Sequence, residues 1–168
     1  MNNLIIQNTF RFIVLVLLQV LVLNHIDLFG YLNPMVYIIW VVLFPIRKNQ
    51  TALLVFSFLL GLSIDVFSDS GGINAAATLC IAYLRLPILK AVLRKSDFDF
   101  ILFNIRSIAF SKALLFIIIL IGIHHFIVFS LEYFSFSNFL TVISTTFFTS
   151  IFTLVISILG MLIFTSRK

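Results

Sequence analysis

Residues Phe58–Ala77 read FLLGLSIDVFSDSGGINAAA, and the way this stretch breaks decides the fold. An apolar run carries one carboxylate near its end, Asp65, and is followed at once by Ser68-Asp69-Ser70-Gly71-Gly72. Asp and Ser side chains bond back onto nearby backbone and Gly accepts left-handed dihedrals, so this cluster ends a helix. Asn74-Ala75-Ala76-Ala77 then opens another with small side chains. The pattern predicts two helices joined by a tight turn. Gly61 and Asp65, four residues apart, share one helix face. The missing side chain at Gly61 lets another backbone come close, and Asp65 points into the same contact.

The rest of the chain extends this character. Of its 168 residues, 62% are hydrophobic and only 10% charged. A soluble domain needs about a quarter charged residues to cover itself, so this chain belongs in a bilayer. Apolar runs of helical length, rather than alternating segments of about ten residues, predict an all-α integral membrane bundle and exclude a β-barrel. The 11 Lys and Arg give a net charge of +5, but they flank the apolar runs instead of forming an aromatic-interleaved stripe. They are topology signals, and no nucleic acid is expected as a partner. The single Cys80 lies mid-run and cannot close an intrachain disulfide.

Six spans are expected, at about 9–26, 30–46, 51–66, 73–89, 108–130 and 139–164, forming a single transmembrane domain. The second is short. Asn33-Pro34 suggests an N-cap followed by Pro at the first helical position, and Pro45 closes the run before Arg47-Lys48. Arg85 and Pro87 are expected to end the fourth, and 90–107 to lie on the membrane surface as an amphipathic segment. With six spans, all 11 Lys and Arg fall on one side, which places both termini in the cytoplasm. Asp27, Asp65, Asp69 and Glu132 fall on the other.

Candidate chemistry is sparse. There is no phosphate loop, no Cys/His metal spacing and no nucleophile–base set, so no catalytic residue, metal or cofactor is expected. Gln19 is a lone amide in the first span, and His124 and His125 read as polar residues near a membrane boundary. Two roles are open to Asp65. It caps a turn at headgroup level, or it faces a bundle interior, where an acidic residue costs about 2.5–3.5 kcal/mol on insertion scales.

The ordered series Pro34, Trp40, Pro45, Arg47, then Gly61-Leu62-x-x-Asp65, Ser68, Gly72 and Ala75, with Ile81-Ala82-Tyr83-Leu84 behind, resembles the rod shape-determining protein MreD family of bacteria. The similarity is densest over Asn33–Leu86. It implies a non-enzymatic component of the cell-elongation machinery in the cytoplasmic membrane. The partners so implied are an MreC-like bitopic scaffold protein, an MreB-type filament, and a SEDS glycosyltransferase with its penicillin-binding protein. On this reading Gly61, Asp65, Ser68, Gly71, Gly72, Asn74 and Ala75 grip a partner's transmembrane or juxtamembrane segment. Lys90, Arg94, Lys95 and Arg106 form a basic cytoplasmic surface against lipid or a partner. The bundle is also similar in class to the substrate-binding subunits of energy-coupling-factor vitamin transporters. The competing expectation is such a subunit, with Asp65, Asp69, Asn74, His124, His125 and Glu132 around an outer pocket.

Overall fold

The computed structural model describes residues 2–26, 32–46, 50–94, 109–134 and 139–164. They are helical and contain no β-strand. Helix α1 spans Asn2–Leu21, α2 Ile38–Leu43, α3 Thr51–Ser68, α4 Ile73–Leu93, α5 Phe110–Tyr133 and α6 Phe139–Phe164. Five of these are long and apolar enough to cross a membrane; α2 is not. The chain is therefore a multi-pass helical membrane protein.

The second expected span takes a different form. Six residues rise only about 9 Å, against a hydrocarbon core of about 30 Å. The helix starts at Ile38, four residues after Pro34, so the anticipated N-cap at Asn33 does not form. Val36, Ile38, Ile39, Val41 and Val42 are β-branched and weak helix formers, so no local preference extends α2 back to Pro34. At the other end Phe44 is extended (ψ 140°), as a residue before proline tends to be.

This short helix is the centre of the molecule. Every residue from Val36 to Val42 is buried, and a helix apolar all round belongs inside a bundle. All five long helices touch the segment. Trp40 Nε1 donates to Asn8 O of α1 at 3.0 Å, and its ring meets Phe56 of α3. Arg85 of α4 bonds Val42 O, His124 of α5 bonds Tyr37, and Thr153 of α6 accepts from Met35 N. The long helices turn their other faces outward, with Phe10, Ile13 and Leu17 on α1 and Phe147, Ile151 and Val155 on α6 exposed to lipid.

Helix α4 continues past Arg85 and Pro87 to Leu93, so neither residue ends it. Pro87 removes one N–H and crowds the carbonyl a turn earlier, but it lies on the exposed side, and membrane helices tolerate such breaks. Lys90 accordingly belongs to this helix rather than to a separate surface segment, and Arg94 is its left-handed C-cap (φ 54°). Lys95 and Arg106 lie outside the described residues.

The α3–α4 hairpin is the tightest pairing. A Cβ on Gly61 would stand 2.5 Å from both Ala75 Cα and Asn74 O. Backbone cannot yield as a flexible side chain can, so only glycine fits. We expect Gly61→Ala to destabilise the protein by about 1–3 kcal/mol, in spite of a helix-propensity gain of about 1 kcal/mol. Gly122→Ala, where nothing lies within 4 Å of the added atom, should keep only the gain. Thermal unfolding in detergent measures both, and equal midpoint shifts for the two variants would contradict this account of Gly61.

Candidate functional site

The carboxylate singled out in the sequence is buried, and its job is local. Gly72, the N-cap of α4, has no side chain to satisfy the helix's first N–H groups. Asp65 does so from the preceding helix. Its Oδ1 accepts from Asn74 N at 2.9 Å and its Oδ2 from Ala75 N at 2.8 Å. The negative charge also sits at the positive end of the α4 dipole. Ser70 Oγ (2.5 Å) and Asn74 Nδ2 (3.0 Å) complete its shell. Of the two roles open to Asp65, turn cap and inward-facing group, the structure combines both.

From this cap a line of hydrogen bonds runs into the bundle, and its direction can be worked out. Asn74 Nδ2 donates to Asp65 and to Ser70 Oγ, so the amide oxygen faces the other way. That oxygen accepts from Tyr37 OH at 2.7 Å. The phenol has one proton, so at 3.1 Å it must accept from His124 Nε2. Thr78 Oγ1 donates to Asn74 O at 2.6 Å, which leaves it only as a long second acceptor for His124 at 3.5 Å. His124 is thus the neutral Nε2–H tautomer, and its buried Nδ1 has no protein partner among the described residues.

His125 carries the opposite tautomer. Its Nδ1 lies 2.9 Å from Ile121 O, which can only accept, so Nδ1 holds the proton. Its Nε2 then accepts from Thr153 Oγ1 at 3.0 Å, and that hydroxyl in turn accepts from Met35 N at 3.1 Å. Gln19 serves the same segment from α1. It donates to Pro34 O and accepts from Val36 N, both at 2.9 Å, and donates to Asn24, which reaches Ser68 Oγ. His124 and His125 are not exposed polar residues: both are fully buried in the bundle, because their partners at the start of α2 and on α4 and α6 converge there.

The residues grouped in the sequence therefore separate. Gly61, Asp65, Asn74 and Ala75 meet, and the backbone they meet is that of α4 of the same chain. Ser68 is exposed and bound to Asn24. Gly71 (φ 63°) and Gly72 (φ 93°) form the turn and have open space around them. Lys90 is half-buried and Arg94 exposed at the far end of α4. Sequence reasoning missed Tyr37, Thr78 and Thr153. The available signal for the last was the run Thr145, Thr149, Thr153, Ser157, spaced by four and all buried on one face. Among the described residues no group of three or more His, Cys, Asp or Glu could hold a metal.

The chain is thus a multi-pass membrane bundle with a buried polar framework. No family model, curated protein or solved structure matches it.

Tyr37→Phe removes one oxygen and strands both Asn74 Oδ1 and His124 Nε2–H. We expect a loss of about 1–3 kcal/mol per stranded buried group. Asp65→Asn, which weakens a charge-assisted cap, should cost about 1–2 kcal/mol, while Asp69→Asn on the exposed turn should cost less than half that. Unfolding midpoints in one detergent rank the three, and an Asp69 effect matching that of Asp65 would show that the cap is unimportant.

Proposed function

We propose that this protein is a non-enzymatic scaffold of the bacterial cytoplasmic membrane, acting in cell elongation as the resemblance to the MreD family implies. The observation that carries the reading is how the polar side chains at the Asp65 end are used. Asp65, Asn74, Tyr37, His124 and His125 are buried and bonded to one another or to backbone. A framework so committed holds helices in register and presents a fixed outer surface. The competing reading, a vitamin-binding transporter subunit, needs Asp65, Asp69, Asn74, His124, His125 and Glu132 to line one open pocket. Asp65, Asn74, His124 and His125 are instead occupied with holding the bundle together, and Asp69 and Glu132 are exposed.

In this proposal both termini and the Lys90, Arg94, Lys95 and Arg106 surface face the cytoplasm, toward anionic lipid and an MreB-type filament. The α3–α4 turn faces outward, where an MreC-like bitopic protein, a SEDS glycosyltransferase and a penicillin-binding protein are reached. Gly71, Gly72 and Ser68, being accessible, are the residues of the set that a partner meets directly, while Gly61, Asp65, Asn74 and Ala75 shape the surface from within.

Affinity purification of the tagged protein from its native membrane in mild detergent, with mass spectrometry of proteins and small molecules, tests the reading. A single-span scaffold with wall-synthesis proteins is the expected catch. ATPase subunits with a bound small molecule would overturn it in favour of transport.

A further inference from the structure

At the end of the bundle away from the Asp65 turn, Phe44, Pro45, Gln50, Leu53, Arg85 and Leu86 line a cleft between the end of α2, the start of α3, and α4. Arg85 is 3% exposed. Its Nη2 donates to Val42 O at 3.0 Å and to Phe44 O, and its Nε has no protein partner among the described residues. None of the described residues that line the cleft is Asp or Glu. Among the described residues the guanidinium is bonded to carbonyl dipoles, a poor match for a buried full charge.

A second positive feature meets it. Helix α3 begins at this cleft, Gln50 puts no side-chain hydrogen bond on its first turn, and that turn holds no acidic residue. A helix N-terminus so arranged favours an anion. The planar, always-charged Arg fork suits phosphate oxygens in particular. The other walls are apolar, and the cleft lies where α3 starts, at one end of a helix about 27 Å long, close to the thickness of a hydrocarbon core. We propose that this cleft binds the headgroup phosphate of an anionic phospholipid, with an acyl chain laid against Phe44, Leu53 and Leu86. The proposal needs only that the protein sits in a bilayer, and is independent of the scaffold reading.

Native mass spectrometry of the full chain in mild detergent tests it, with phosphatidylglycerol, phosphatidylcholine and inorganic phosphate as probes. One phosphatidylglycerol should bind about tenfold more tightly than phosphatidylcholine, a ratio equivalent to about 1.4 kcal/mol, and millimolar inorganic phosphate should not displace it. Leu86→Trp, which fills the cleft and leaves the Arg85 bonds in place, and Gln50→Glu, which puts a negative charge at its mouth, should each lower phosphatidylglycerol affinity about tenfold. Equal binding of the two lipids by the unsubstituted protein would overturn the proposal. So would displacement by inorganic phosphate, or unchanged lipid affinity in whichever of the two variants keeps the parent unfolding midpoint.

Discussion

A backbone inside hydrocarbon must satisfy its own N–H and C=O groups, and in this protein that requirement falls hardest on one place. Helix α2 has six residues, so most of 32–46 crosses the interior without a helix's internal bonding. The protein answers with side chains from elsewhere. Gln19 covers Pro34 O and Val36 N, Thr153 covers Met35 N, and Arg85 covers Val42 O and Phe44 O. Read this way, the amide, hydroxyl and guanidinium found in apolar spans share one purpose. Each belongs to a different long helix, so the broken segment also ties those helices to one another.

The α3–α4 hairpin solves the same problem at a helix end. A glycine N-cap cannot bond its own first turn, and Asn74 and Ala75 on that turn are buried away from water. The carboxylate of Asp65 takes that place, and Gly61 lets α4 come close enough to be reached. Once α4 is fixed, Asn74 is fixed, and with it the donor–acceptor sense of Tyr37 and His124. The two neighbouring histidines hold opposite tautomers as a result. Polar networks satisfied in this way rigidify a core, since any alternative packing leaves groups unpaired.

Local features were legible in the sequence and distant ones were not. The spacing of Gly61 and Asp65 put them on one face, and the Ser/Asp/Gly cluster marked the turn where it occurs, at 69–72. What spacing cannot say is whose backbone approaches such a face, and here it is α4 of the same chain. The short span was visible between Pro34 and Pro45, but a run of apolar residues reads alike whether it crosses a bilayer or is wrapped by helices. His124 and Tyr37 are 87 residues apart, and Thr153 and Met35 118 apart. Periodicity within one helix carries no trace of such pairs, so both histidines looked peripheral. Arg85 beside Pro87 resembled a helix end because both features commonly mark one, whereas this arginine is drawn inward by free carbonyls.

The central position of 32–46 bears on how the protein is made. This segment leaves the ribosome early, yet Arg85, His124 and Thr153 follow only after half to nearly all of the chain has been synthesised. Gln19 precedes it and can cover Pro34 O and Val36 N, but until then Met35 N, Val42 O and Phe44 O lack the partners they have in the finished protein. It cannot insert as an independent span, and its proper burial must wait for α4, α5 and α6. Biogenesis is therefore a late enclosure of an early segment, and a chain truncated before Thr153 would expose to the quality-control machinery a stretch whose centre, Val36–Val42, the finished protein buries.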